Sequence, residues 1–370
     1  MYLEYKYLST DIKDFASALN NLVETIKKGK CNNIIRLVFF SDIINNEEYN
    51  YRKDILDNIL ENNFSGYIPT YALVAQKVGM YKSVAVEIQS ISGESSGKLK
   101  YKNYKGLNYV LFENKDDRFL FVSGIYENSG GLSVKKLSEK AFNKLLDILK
   151  IENYSIANIV RQWNYIENIT NCTSSGKQNY QEFNNVRSVY YGSHFEKTGY
   201  PAATGIGVKS GGIMIDVDVF NNSDIKSLKI DNKKQRPAYS YSKDVLIGTG
   251  LEQTTPKFER ARLLKFDNET FEYISGTAAI SGEKTIGTSF KEQLDVTLNN
   301  IAELLDSTLF YSNNGLYKLK SVRIYLKSLS YQMELLNILD DKLKGTEYIV
   351  LETDICRTNL LLEIEGNCIT

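Results

Sequence analysis

The sequence predicts an α+β fold in which three similar α/β units share one chain of 370 residues, each a small mixed sheet packed with helices, together a pseudo-trimer. Three observations predict it. A Ser-Gly strand occurs twice. An amphipathic helix and an arginine-bearing strand follow each copy in the same order. An apolar-acidic-apolar step recurs in three closing segments. The segment FLFVSGIY (119–126) resembles FEYISGTA (271–278), which sets Ser123-Gly124 opposite Ser275-Gly276.

The helices come next, EKAFNKLLDIL (139–149) and DVTLNNIAELL (295–305). Their apolar residues recur at i, i+3, i+4 and i+7, as Phe142, Leu145, Leu146 and Leu149 in one and Leu298, Ile301, Ala302 and Leu305 in the other. That spacing makes one buried face. NIVRQWNYI (158–166) and KSVRIYLKS (320–328) then read as strands with Arg161 opposite Arg323, and IMIDVDVF (213–220) and LLLEIEG (360–366) close the two units.

A fainter copy opens the chain. LVFFSDI (37–43) is expected in the place of the Ser-Gly strand, YRKDILDNIL (51–60) as its helix and SVAVEIQSI (83–91) as its closing strand. The shared step reads Val86-Glu87-Ile88, Ile215-Asp216-Val217 and Leu362-Glu363-Ile364, and prolines open PTYALVAQKVG (69–79) and PAATGIGVKSGG (201–212). The expected organisation is a degenerate first unit over 1–100, a second over 101–225 and a third over 226–370. Packing such units together buries the sheet face that each leaves open and forms clefts between them.

Lys plus Arg and Asp plus Glu are 45 each, so the net charge is zero. Phosphate-backbone binding draws on a basic excess, so no nucleic-acid partner is expected, and an anionic ligand must be held by a local cluster. No apolar run approaches the roughly 18 residues of a membrane span, and the opening MYLEYKYLSTDIKDF does not read as a secretory signal. Cys31, Cys172, Cys356 and Cys368 are scattered with no Cys-x-x-Cys pair, which fits a reducing cytoplasm and argues against a zinc site. The one histidine, His194, sits in GSHF and reads as a loop or strand-end residue. Histidine relays and metal clusters are thereby disfavoured, and chemistry must rest on Glu, Asp, Lys, Arg, Tyr and backbone groups.

These landmarks resemble the RidA-like (YjgF-like) superfamily, whose members are trimers with ligand sites at subunit interfaces. A closer resemblance runs from about residue 160 to the C-terminus. VRQWNYIENI (160–169), NYQEFNNVRSVYY (179–191), YPAATGIG (200–207), PAYSYS (237–242), PKFERARLL (256–264), ISGTAAISGE (274–283) and TDICRTNLLLEIE (353–365) look like the chorismatase family, in that order. The resemblance implies a cofactor-free, metal-free enzyme that takes chorismate and releases pyruvate. The other product is either a hydroxybenzoate (3- or 4-), the expectation here, or a dihydroxy-cyclohexadiene acid. It further implies a cytoplasmic monomer or small homo-oligomer serving secondary metabolism. A RidA-like imine deaminase and a chorismate-binding relative without activity are the alternatives.

Chorismate carries two carboxylates, and the planar fork of arginine suits them. The family-like segments offer Arg260 and Arg357 as first candidates, then Arg187, with Arg161 also able simply to orient Trp163-Asn164-Tyr165. Tyr239 and Tyr241 would face one side if PAYSYS is a strand. Thr204, Gly205 and Gly207 read as a backbone-donor loop or a plain turn. Cys356 is either a thiol near the ligand or a buried structural cysteine. Cleavage of an enol ether begins with protonation of its terminal carbon, which calls for a carboxylic acid of raised pKa. The family places that glutamate after Ser-Gly-Thr-Ala in a Gly-His-Glu context, where this chain reads Gly282-Glu283-Lys284. Either Glu283 supplies the acid from one position earlier, or Lys284 replaces it. Asp216, Asp218, Glu363 and Glu365 read as structural, because they repeat in equivalent strands.

Overall fold

Core strands buried along nearly their whole length and side-chain caps on the helices set the elements of this computed structural model, which describes residues 2–29, 31, 33–92, 97–114, 117–128, 130–173, 176–221, 227–246, 253–266, 269–307, 319–339 and 342–369. The first sheet gathers β1 (Tyr2–Thr10), β2 (Ile34–Ser41), β3 (Thr70–Ala75) and β5 (Val84–Ser92), with helices α1 (Phe15–Lys28) and α2 (Asn46–Asn63) and the short β4 (Lys77–Val78) between them. The second sheet contains β6 (Lys98–Tyr104), β7 (Leu107–Glu113), β8 (Arg118–Glu127), β9 (Ile159–Glu167), β10 (Ala202–Val208) and β11 (Ile213–Asn221), with α3 (Val134–Ile151) and α4 (Asn179–Tyr191). The third contains β12 (Ser227–Ile230), β13 (Ala261–Phe266), β14 (Glu269–Thr277), β17 (Leu319–Leu326), β18 (Glu347–Glu352) and β19 (Leu362–Ile369), with α5 (Phe290–Asp306) and α6 (Gln332–Leu339). A small hairpin, β15 (Ile280–Ser281) and β16 (Lys284–Thr285), stands apart.

The strand orders repeat. β1-β5-β2-β3, β8-β11-β9-β10 and β14-β19-β17-β18 follow the same path, and the second and third sheets add hairpin strands outside β8 and β14. Each path ends in a parallel pair, β2 with β3, β9 with β10 and β17 with β18. The α+β architecture with an internal pseudo-threefold is therefore as the sequence predicts. One assignment changes. LVFFSDI lies mainly in β2, the counterpart of the arginine strands β9 and β17, and β1 takes the Ser-Gly place. The apolar character of LVFFSDI hid Arg36, which precedes it and aligns with Arg161 and Arg323 opposite Gln89, Asp218 and Glu365.

Helix α3 starts at Ser133, whose side chain accepts from Lys136 N, and buries Phe142, Leu145 and Leu149. Leu146 lies at the edge of that face and stays exposed. Helix α5 opens on a capping box of Ser289 and Glu292 and buries Leu298, Ile301 and Leu305. Reciprocal caps of this kind satisfy backbone donors that the first turn would otherwise leave unpaired. Strand β4 of the first unit pairs with β18, adding a strand to the third sheet.

The three arginines meet on the pseudo-threefold axis around the single tryptophan. The guanidinium carbons of Arg161, Arg36 and Arg323 lie 4.5, 5.1 and 5.4 Å from the Trp163 ring centroid. Each arginine reaches an acid of the next unit. Arg36 meets Asp218, Arg161 meets Glu365, and Arg323 grips Glu87 through Nε at 2.7 Å and Nη2 at 2.6 Å. Burial pushes the Glu87 carboxyl up, but the facing Arg323 charge outweighs it and holds Glu87 below the ordinary carboxylate range.

Removing one partner of such a buried pair leaves an uncompensated charge, at a cost of about 3–5 kcal/mol. Arg36→Met is therefore expected to lower the urea midpoint strongly. Arg36→Met with Asp218→Leu, which removes both charges, should recover a large part of that loss in the same denaturation series.

Candidate active site

The closing strand of the third unit and the edge strand of the second meet at a cleft of about 720 Å³, counting its open mouth. From the second unit, α4 presents Tyr180, Gln181 and Asn184, and β10 presents Ala203 and Gly205. The third unit supplies Phe258 and Arg260 before β13, Gly276 and Ala278 at the end of β14, Cys356 and Arg357 from the loop after β18, and Glu363 on β19. Two glycines permit the close approach. A Cβ on Gly205 would stand 2.7 Å from the Tyr180 ring, and one on Gly276 would collide with the Glu363 carboxyl.

Glu363 is 4% exposed. Burial, reinforced by the neighbouring Glu365 charge, pushes its carboxyl up to about 8 against the opposing pull of Arg161 and Arg260. It is therefore a carboxylic acid at neutral pH. Thr204 accepts the Gly276 N–H at 3.0 Å and donates to Glu365. Glu365 is further held by Trp163 Nε1 at 3.0 Å and the Tyr325 hydroxyl at 2.9 Å. The two glutamates thus divide, with Glu365 paired to Arg161 and Arg323 inside the arginine network and Glu363 facing the cleft.

Arg260 and Arg357 flank Tyr241, their guanidinium carbons 5.7 and 5.6 Å from its ring centroid. Arg260 donates to the Tyr241 hydroxyl at 2.5 Å and to the Arg236 carbonyl at 3.0 Å, while its buried Nε has no hydrogen-bond partner. Arg357 donates to the Glu283 carbonyl at 2.9 Å. Among the described residues neither arginine forms an ion pair with a carboxylate. Two such guanidiniums beside a neutral acid make a site for a dianion.

The structure gathers Arg260, Arg357, Tyr241, Gly205 and Cys356 at the cleft and separates the other candidates from its wall. Glu283 turns its carboxylate away, accepting from Ser242 N at 2.8 Å and Ser242 Oγ at 2.6 Å, and those bonds hold it below the usual carboxylate range. Lys284 points to solvent from β16. PAYSYS is a single 3-10 turn after Pro237 rather than a strand, so Tyr239 and Tyr241 do not share a face, and Tyr239 packs on Tyr200 instead. ATGIG forms β10 rather than a loop, which hides Thr204 in the network behind Glu363. Gly207, at the end of the same strand, donates its N–H to the Asp354 carbonyl.

Arg161 belongs to the axis. Arg187 is buried on α4, where it donates to Asn184 Oδ1 at 2.6 Å and leaves Nε without a partner, one layer behind the wall. Tyr180, Asn184, Phe258 and Glu363 were not among the sequence candidates. Glu363 carried a signal, its place in the apolar-acidic-apolar step, but three equivalent acids share that signal.

The sequence model of the family described as chorismatase FkbO/Hyg5-like, N-terminal, matches residues 95–217. A 3-hydroxybenzoate synthase of Streptomyces hygroscopicus is 25% identical over 68% of this chain and 74% of its own length. A chorismatase of Streptomyces rapamycinicus is 28% identical over 56% of this chain and 63% of its own. A crystal structure of a chorismatase superposes with a TM-score of 0.73 at 18% identity, covering 99% of this chain and 98% of that one. The chain is similar to chorismatases in sequence over part of its length and in fold over nearly all of it. The match to the chorismatase crystal structure spans all three units, including the first, where sequence resemblance is faint.

Burial, and then the nearby Glu363, push the Cys356 thiol up to about 12, so it is a neutral wall group. Thiolate is the reactive form of cysteine. Iodoacetamide at pH 8 should therefore label exposed Cys172 at least about tenfold faster than Cys356, read by peptide mass mapping. Equal rates would contradict the assigned environment.

Proposed function

We propose that the chain cleaves chorismate into pyruvate and a hydroxybenzoate, with Glu363 as the acid and Arg260 and Arg357 as the carboxylate clamps. The observation that carries this is a buried carboxyl raised to about 8 beside two guanidiniums with no carboxylate partner among the described residues. Chorismate brings two negative charges, which the two arginines match. Further negative charge in the cleft favours the neutral form of Glu363. The Arg260 Nε–H is a donor that ligand binding would satisfy.

Glu363 donates its proton to the terminal methylene carbon of the enolpyruvyl arm, turning it into a methyl group and leaving an oxocarbenium ion and the Glu363 carboxylate. The neighbouring ring hydroxyl attacks the ether-bearing ring carbon as that carbon's bond to the ether oxygen breaks. The ether oxygen keeps the electron pair and leaves in pyruvate, and the hydroxyl proton is released, giving an epoxide across the two ring carbons. The epoxide takes up one proton as it opens at the carbon that first bore the hydroxyl. Loss of the hydrogen from the former ether carbon then aromatises the ring to the 3-isomer, and return of a proton to Glu363 closes the cycle. Protons taken up equal protons released, and chorismate divides into pyruvate and hydroxybenzoate with no added water. The 3-isomer is favoured, since the relative matched over three quarters of its length is named a 3-hydroxybenzoate synthase. Arg187 serves as a positioning residue for Asn184.

The test is to incubate purified chain with chorismate, follow pyruvate by a coupled assay and identify the ring product by chromatography. Pyruvate with 3-hydroxybenzoate is expected. Pyruvate with the dihydroxy-diene acid would replace aromatisation by hydrolysis, and chorismate bound without pyruvate would overturn the enzyme reading. Glu363→Gln should lower kcat by about 10²–10⁴ with chorismate still bound, because general acid catalysis contributes on that scale. Lys284→Ala should stay within about threefold of the parent, as expected for an exposed lysine outside the cleft.

The acid acts in its protonated form, so the sign of the pH dependence is fixed. Turnover should fall as pH rises through about 8 and hold on the acid side of that value, a profile that steady-state rates would reveal.

A further inference from the structure

The junction between the first and second units holds a second cleft, about 1370 Å³ counting its open mouth. Topology makes it the counterpart of the site above. Strand β8 with Gly124 stands where β14 with Gly276 stands, and β3 and α2 stand where β10 and α4 stand. Its chemistry differs. Asp216 occupies the place of Glu363 but is one carbon shorter, and its Oδ1 accepts the Gly124 N–H at 2.7 Å, which holds it in the wall. Asn108 precedes β7 residue Tyr109 as Arg260 precedes β13 residue Ala261, so a clamping arginine is replaced by an amide.

What remains is a balanced set of charges among tyrosine rings. The Lys53 ammonium is paired with Asp57 and lies 5.0 and 5.6 Å from the ring centroids of Tyr71 and Tyr126. The Tyr71 hydroxyl donates to the same Asp57 at 2.8 Å. On the other wall Lys144 pairs with Glu127, and at one end Lys105 pairs with Asp147 and lies over Tyr104. Asp57 and Lys144 both keep open faces, at 34% and 53% side-chain exposure. Three cations against three carboxylates leave no net field to attract a dianion, while each sign is offered separately to a ligand carrying both. The tyrosine faces suit a flat apolar body.

We propose that this cleft binds a small zwitterion bearing an aromatic ring, the chemistry of an aromatic amino acid, with its ammonium toward Asp57 and its carboxylate toward Lys144. The inference does not depend on the reaction assigned to the other cleft. Isothermal titration of the full chain with L-phenylalanine and L-tyrosine tests it. One saturable site with a dissociation constant of about 1 mM or tighter is expected for at least one of them. L-Alanine, which lacks the ring, and 3-hydroxybenzoate, which lacks the ammonium, should bind this site at least about tenfold more weakly. Asp57→Asn and Lys144→Gln should each weaken binding by about tenfold or more, and Glu363→Gln should leave it unchanged. Lys144 is exposed, so its variant keeps the test valid if Asp57→Asn fails to fold. No saturable heat with either amino acid, equal binding of L-alanine, or binding lost in Glu363→Gln and kept in Lys144→Gln would each overturn the proposal.

Discussion

Three guanidiniums packed around one indole set the constraint on which the rest of this structure depends. Arg36, Arg161 and Arg323 come from equivalent strands and would repel one another strongly in a dry interior. They are tolerated because each reaches an acid of the next unit, which turns like-charge repulsion into a cyclic set of contacts. The ring therefore fixes the relative placement of the three sheets. It also decides what the acids of the closing strands can do. Each closing strand offers two inward positions, Glu87 and Gln89, Asp216 and Asp218, Glu363 and Glu365. The arginines take Glu87, Asp218 and Glu365. Asp216 and Glu363 are left outside the ring.

The three junctions then diverge through single residues. Between the third and first units, Tyr7 of β1 stands opposite Glu87, and its hydroxyl donates to Glu87 at 2.8 Å. Between the first and second units, the Gly124 amide holds Asp216 in the wall. Between the second and third, Gly276 gives its amide to Thr204 instead, which leaves the longer Glu363 turned to the cleft. One scaffold thus yields a tyrosine-capped acid, a balanced cleft and a site with a protonated acid. The raised Glu363 carboxyl follows from the same arrangement, since it is buried beside Glu365 while the arginines paired with Glu365 face the axis.

Much of this was legible in the chain. The paired Ser-Gly strands, the arginines 161 and 323 and the threefold apolar-acidic-apolar step report packing demands that every unit shares, and they placed the strands correctly. Arg36 escaped because its strand is otherwise apolar and its unit lacks the outer hairpin that frames the others. The site was less legible for a related reason. Repetition identifies Glu87, Asp216 and Glu363 as equivalent, and cannot say which copy faces open space. That depends on side chains distant in sequence, Tyr7, Gly124 and Gly276 with Thr204. Glu283 was attractive by its neighbours in sequence, yet the β15–β16 hairpin turns it onto Ser242. Tyr241 was named for an alternation that a 3-10 turn abolishes, and still reaches the cleft because Arg260 and Arg357 flank it.

The arginine ring leaves Glu363 outside its pairs and therefore protonated at neutral pH. Carbon-13 NMR of side-chain carboxyls, with Glu363 assigned by its loss in Glu363→Gln, measures this directly. A single carboxyl that titrates near pH 8, far above the ordinary carboxylate range, is the expected result. A Glu363 carboxyl already ionised at pH 6 would contradict it, because the group facing the cleft would then be a carboxylate with no proton to give.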